Sequence, residues 1–196
     1  MSITKLTQYR HNESGLILHF RPIEDTLDIE KTDTGYTVRY LIQDDFSEAP
    51  DDYPDIILVS KHRDFYVGND VIKNLNIGEY YCFPVEAYIH SGVVLAFSEE
   101  GNFPDRRWDV SQCAVIYVRR GYDATNRSQA RELAWEHLTQ WNMYLEGDVY
   151  SLVTEYFTAE KKPIDYELLG GIYGYENACQ ELKSEINNIK EYVKNE

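Results

Sequence analysis

At 196 residues, 43% apolar and 14% aromatic, the chain has the composition of a folded protein and lies far from the disordered class. Its three cysteines, Cys82, Cys113 and Cys179, form no Cys-x-x-Cys pair, which argues against a disulfide framework and a structural zinc site. Nineteen basic against thirty-four acidic residues give a net charge of −15, a sign that repels phosphate and disfavours direct nucleic-acid binding.

The first half reads as strands. Gly15 to Phe20 and Tyr36 to Ile42 are short apolar-rich runs, with a turn at Asp33-Thr34-Gly35 before the second. Ile56 to Ser60 is a continuous apolar run of strand length. Tyr81 to His90 and Val93 to Phe97 flank Ser91-Gly92, which predicts a hairpin, and Ala114 to Val118 predicts a central strand. The period then changes. Ala130, Ala134, Leu138, Trp141 and Leu145 share one helical face, with Asn126 or Ser128 as cap and Gly147 at the C-terminal stop. Val149 to Phe157 returns to a strand pattern, which Lys161-Lys162-Pro163 breaks. Tyr175, Ala178, Cys179, Leu182, Ile186, Ile189 and Val193 mark a final helix whose stripe packs on the sheet or forms a homodimer seam. The expected fold is α+β: one mainly antiparallel sheet of five or more strands packed by a long helix near 127–146 and a C-terminal helix near 175–193. One domain, 1–196, is expected, with an acidic N-terminal part over residues 1–80.

The acidic excess is uneven. From Glu24 to Asp55 stand eleven acidic residues against Lys31 and Arg39, a net charge of −9. Within that run, Asp44 to Asp55 carries Pro50 and Pro54 and reads as a surface loop. Asp44, Asp45, Glu48, Asp51, Asp52 and Asp55 are therefore the candidate partner-binding residues, and a solvated face is the plainer reading of the same run. The seventeen tyrosines suit either half-buried sheet positions or a recognition surface.

Catalytic motifs are weak. His62-Arg63-Asp64 matches a kinase catalytic triplet without any of its companions. Gly170-Gly171-Ile172-Tyr173-Gly174 has too little chain after it for a nucleotide-binding unit and reads as a tight strand-to-helix connection. The five histidines form no i,i+4 or His-x-His pair, so no metal and no nucleotide cofactor is expected. The polar cluster that invites chemistry is His90, Ser91 and Asp109. Two neighbouring strand ends bring His90 toward Asp109, and Ser91 would then be a nucleophile if His90 reached it.

Phe83-Pro84-Val85 running to His90-Ser91-Gly92, Trp108-Asp109 before Val115-Ile116-Tyr117-Val118, Tyr144 to Tyr150, and Gly171 to Tyr175 follow one another over about residues 81–185. In that order they resemble a family of small proteins encoded by tailed bacteriophages and mobile elements. The chain departs from the family pattern at Arg106-Arg107 and Val110-Ser111, where relatives carry Ser-Cys-Pro and Ser-Gly. It departs again at Leu169-Gly170, where relatives carry Cys-Trp. If those positions formed an active site in the relatives, part of it is lost here, which favours binding.

The resemblance implies a phage or mobile-element origin and action in the host cytoplasm. With the charge, it leads to the expected function: a stoichiometric, DNA-mimicking inhibitor of a bacterial defence nuclease, of anti-CRISPR or antirestriction type. Such a protein would occupy the Lys/Arg surface of a host nucleic-acid-binding protein. The alternatives are a small metal-independent hydrolase using His90, Ser91 and Asp109, or a phage accessory protein. The longest apolar runs span about a quarter of a bilayer and the N-terminus has no apolar signal core, so no membrane is expected.

Overall fold

The computed structural model describes residues 8–45, 47–50, 55–63, 65–68, 73, 75–104, 106–121 and 124–194, with side chains through residue 187. The chain is α+β, with eleven antiparallel strands in three sheets and two helices. It divides into two compact units, Met1–Ser47 with Asp148–Glu196, and Glu48–Gly147. No helix among the described residues is long and apolar enough to cross a membrane.

The first unit opens with a hairpin of β1 (Tyr9–Arg10) and β2 (Ile17–Leu18), followed by β3 (Asp28–Lys31) and β4 (Gly35–Gln43). Its later part supplies β10 (Val149–Thr158), β11 (Pro163–Tyr173) and the C-terminal helix, α2 (Tyr175–Lys194). The sheet order is β11-β10-β4-β3. Strand β4 is buried on both faces: Tyr36, Val38, Tyr40 and Ile42 alternate with Thr37, Arg39 and Leu41, and the polar Thr37 and Arg39 are buried with the rest. Val38 and Tyr40 pack with Val153, Phe157 and the hairpin residues Leu16 and Leu18 on one face. Leu41 and Leu152 pack with Ala178 and Leu182 of α2 on the other, with Cys179 and Ile186 against them. The helical stripe thus closes the sheet as expected, and the positions of Ile189 and Val193 lie outside the described side chains. Each fully buried Leu or Phe in these layers contributes roughly 1.5–3 kcal/mol.

The second unit holds β5 (Ile56–His62), β6 (Phe65–Val67), β7 (Tyr80–Ile89), β8 (Val93–Phe97), β9 (Val110–Arg119) and the long helix, α1 (Arg127–Glu146). Its sheet order is β6-β5-β9-β7-β8. Alternation along β9 buries Ala114, Ile116 and Val118 beneath α1, whose Ala130, Ala134, Leu138 and Trp141 complete the core. Helix α1 starts where the Asn126 side chain accepts from Gln129 N at 3.0 Å, and it ends at Gly147 in the left-handed region (φ 73°).

Where the sequence pattern suggests a single sheet, the strands form three. The reason is a long-range pairing: β4 pairs with β10, and Tyr40 and Glu155 lie 115 residues apart in sequence. Local patterning carries no sign of that choice. The expected run Gly15 to Phe20 contracts to Ile17–Leu18. Lys161-Lys162-Pro163 ends β10 as expected, but it opens the eleven-residue β11 rather than a loop.

Candidate functional site

The described carboxylates of the Asp44–Asp55 run have different surroundings. Asp44, half-buried, is tied into its own sheet: its Oδ2 accepts from Ser151 Oγ at 2.7 Å and from the Gly171 amide at 3.2 Å. There the β10–β11 register shifts, with Gly170 and Gly171 standing opposite Ser151, and Gly171 takes φ 70°. Asp55 lies 3.3 Å from Arg119 in the second unit. Asp45 and Glu48 are exposed. Asp51 and Asp52 lie outside the described residues. As a partner-binding set, the six are thus reduced by structural duties at Asp44 and Asp55.

Strand β11 carries exposed carboxylates that have no countercharge among the described residues. Strand register places Asp28 and Glu30 of β3, Arg39 of β4, Tyr156 of β10 and Asp165 and Glu167 of β11 on the sheet face that also carries α2. Arg39 is buried and pairs with Asp28 (3.3 Å) and Glu30 (3.0 Å), while its Nε has no hydrogen-bond partner among the described residues. Asp165 and Glu167 are exposed, and no cation pairs with them among the described residues. The Tyr156 hydroxyl is pushed up by burial, with the field of Glu167, a hydrogen bond to it and nearby Glu185 adding to the effect, and Arg39 opposing it.

On the opposite face of the same sheet sits a second polar cluster. The fully buried Glu155 carboxylate accepts from the His19 amide (2.9 Å), from His19 Nδ1 (2.7 Å) and from the Tyr40 hydroxyl. Burial and Glu155 together hold the Tyr40 phenol well above its ordinary range. The His19 ring lies 4.7 Å from that of Tyr166 on β11, and Phe20 meets Tyr166 edge-on at 5.9 Å. A buried carboxylate thereby fixes a histidine, and the histidine supports an aromatic residue on the sheet edge.

In the second unit, the pairing of β7 with β9 brings His90 to Asp109, as two neighbouring strand ends: Nδ1 and Oδ2 are 3.3 Å apart, beside a backbone bond from Ile89 N to Asp109 O at 2.7 Å. Phe103, Tyr88 and His90 stack in succession, and Trp108 is 86% exposed. Ser91 is an exposed turn residue with no hydrogen bond to His90 among the described residues. Ser91 borders a cleft of about 370 Å³ lined also by Tyr88, Val94 and Glu146. Arg106 forks onto the fully buried Glu86 at 2.9 and 2.6 Å and fastens the loop that carries Trp108 and Asp109.

Among the described residues, no three His, Cys, Asp or Glu side chains converge as a metal site requires. Comparison with protein-family models, with curated proteins and with solved structures gives no match to this chain.

Proposed function

We propose that the protein acts by stoichiometric binding, as an inhibitor of a bacterial defence nuclease of restriction or CRISPR type encoded by a phage or mobile element. Its acidic face covers the basic surface through which the nuclease holds nucleic acid. The observation that supports this reading is the exposed pair Asp165 and Glu167, joined by Glu185 beside Tyr156 and lacking a countercharge among the described residues. On the same face, Asp28 and Glu30 form a second row, partly neutralised by Arg39. Three strand spacings of roughly 4.8 Å put the rows about 14 Å apart, close to the ~12 Å width of the B-DNA major groove. Carboxylates in that arrangement compete with phosphates for Lys and Arg.

The test begins with capture of a host nuclease on the immobilised protein and elution in a salt gradient. DNA cleavage by that nuclease is then titrated with the protein. The expected result is saturation at one equivalent, competitive with DNA and relieved by the triple variant Asp165→Asn, Glu167→Gln and Glu185→Gln. Inhibition at far below one equivalent means turnover and excludes the reading.

The His90–Asp109 pair supports a second reading, a hydrolase, because His90 is 67% exposed and held by a carboxylate. Among the described residues, no nucleophile is hydrogen-bonded to that histidine.

A further inference from the structure

Strand β11 is an edge strand that leaves large apolar side chains in water. Ile164 is 64%, Tyr166 42%, Leu168 48% and Leu169 52% exposed, and among the described residues β11 pairs only with β10, on its inner side. The edge is also short of backbone partners: the Tyr166 amide donates to the adjacent Asp165 Oδ1 at 2.9 Å. Proteins usually blunt such edges because they template pairing with another strand. Here a register shift at Ile164 bounds the regular edge on one side and the bulge at Gly170 and Gly171 bounds it on the other, leaving residues 165–169. The segment alternates. Tyr166 and Leu168 share the face that carries His19 and Phe20, whereas Asp165 and Glu167 share the face that carries α2.

We propose that the outer edge of β11 is completed by an extended partner segment in which apolar residues alternate with lysine or arginine. Main-chain hydrogen bonds supply the docking and alternate side chains the selectivity, as in strand addition generally. Apolar residues of the segment cover Tyr166 and Leu168, while its bases face Asp165 and Glu167. Tyr166 is presented in a fixed position, because Glu155 holds His19 and His19 packs on its ring. Charge selects this occupant over a second copy of the chain. Antiparallel self-pairing centred on Tyr166 sets Asp165 opposite Glu167 of the copy, a like-charge pair that destabilises a ladder. Self-pairing centred on Leu168 runs into the bulge. This inference deepens the proposed function and rests on it, since the bases are those that the acidic face recruits.

The probe is the peptide acetyl-Val-Lys-Val-Lys-Val-Lys-Val-amide, compared with a block isomer that has all valines before all lysines. The full chain is titrated with each while amide exchange is followed at residues 166 and 168. Alternation along the strand turns the Leu168 amide to the same side as that of Tyr166, so Leu168→Pro removes an outer donor and spares the β10 ladder. Leu168→Lys is the companion variant, which keeps the amide and opposes a basic partner. The alternating peptide is expected to slow exchange at these two positions and to bind about tenfold tighter than the block isomer. Either Leu168 variant is expected to weaken it by a similar factor. Equal binding of the two peptides, or unchanged exchange at 166 and 168, overturns the proposal. So does a wild-type dimer that Leu168→Lys dissolves, which would place a second copy on the edge. If nuclease inhibition still depends on Asp165 and Glu167 while exchange at 166 and 168 never changes, the acidic-face reading stands and the strand-addition reading fails.

Discussion

The Asp44 carboxylate is bonded to the hydroxyl of Ser151, 2.7 Å away, at the point where β10 and β11 shift register. The same oxygen takes the Gly171 amide. An acidic residue in a charge-rich run is therefore a fastener of the edge strand. Its removal leaves a hydroxyl and an amide without this acceptor, at about 1–3 kcal/mol for each group left unpaired. Asp44→Ala is expected to lower the urea unfolding midpoint clearly. Asp45→Ala, a few ångströms along an exposed turn, should stay within about 0.5 kcal/mol of wild type. Equal effects of the two substitutions would contradict the assignment.

Glu155 is the second fastener. Its carboxylate is fully buried and takes three donors, two from His19 and one from Tyr40. Glu155→Ala strands all three and is expected to cost about 3–5 kcal/mol. Tyr40→Phe removes one donor and leaves the other two, at roughly 0.5–1.5 kcal/mol. Chemical denaturation of both variants measures the ratio, which should clearly exceed two.

His137 makes the second unit sensitive to acid. The ring is buried, its Nε2 accepts from Trp141 Nε1 at 3.1 Å, and burial lowers its pKa to about 4. A histidine that stays neutral in the fold and protonates near 6.5 when unfolded stabilises fully above pH 6.5. That stability is lost as pH falls from about 6.5 to about 4, because the unfolded chain binds the proton first. The total is on the order of 3 kcal/mol at about 1.4 kcal/mol per pH unit. Thermal unfolding from pH 7.5 to 4 should show the loss, and His137→Gln should flatten the part of the slope that this ring contributes.

Much of the fold is legible in the residues. Ala130, Ala134, Leu138 and Trp141 define α1 by spacing alone, and the cap at Asn126 and stop at Gly147 lie where the types predict. Strand β8 matches Val93 to Phe97 residue for residue. The division into sheets is not legible, because β4 chooses β10 by burial on both faces and not by any local signal. Strand β11 is missed for a different reason. Pro163 and the glycines read as breakers, yet Ile164-Asp165-Tyr166-Glu167-Leu168 alternates with period two and carries the strand signature in plain form. The proximity of His90 to Asp109 follows from the pairing of β7 with β9, the neighbouring strand ends that the sequence suggests, whereas the Glu155–His19 bond joins residues 136 apart in sequence and has no motif.

The hydrolase reading has its own check. Ser91 makes no bond to His90 among the described residues, so Ser91→Ala should leave every measurable property of the protein unchanged, including nuclease inhibition. A screen of ester and phosphoester substrates is expected to show no activity that both Ser91→Ala and His90→Ala abolish. Multiple turnovers lost in both variants would move the function to this hairpin.

The acidic face of the first unit is tested most directly by the association rate between the protein and its captured nuclease, measured from low to moderate salt. Exposed charges at the rim of an interface act mainly on encounter, and salt screens them over about 10 Å at 0.1 M. The variant Asp165→Asn, Glu167→Gln, Glu185→Gln is expected to associate about tenfold more slowly at low salt and to lose most of the salt dependence. Its dissociation rate should change little. An association rate and salt slope identical to those of the wild type would contradict the account and leave these carboxylates as a solvated surface.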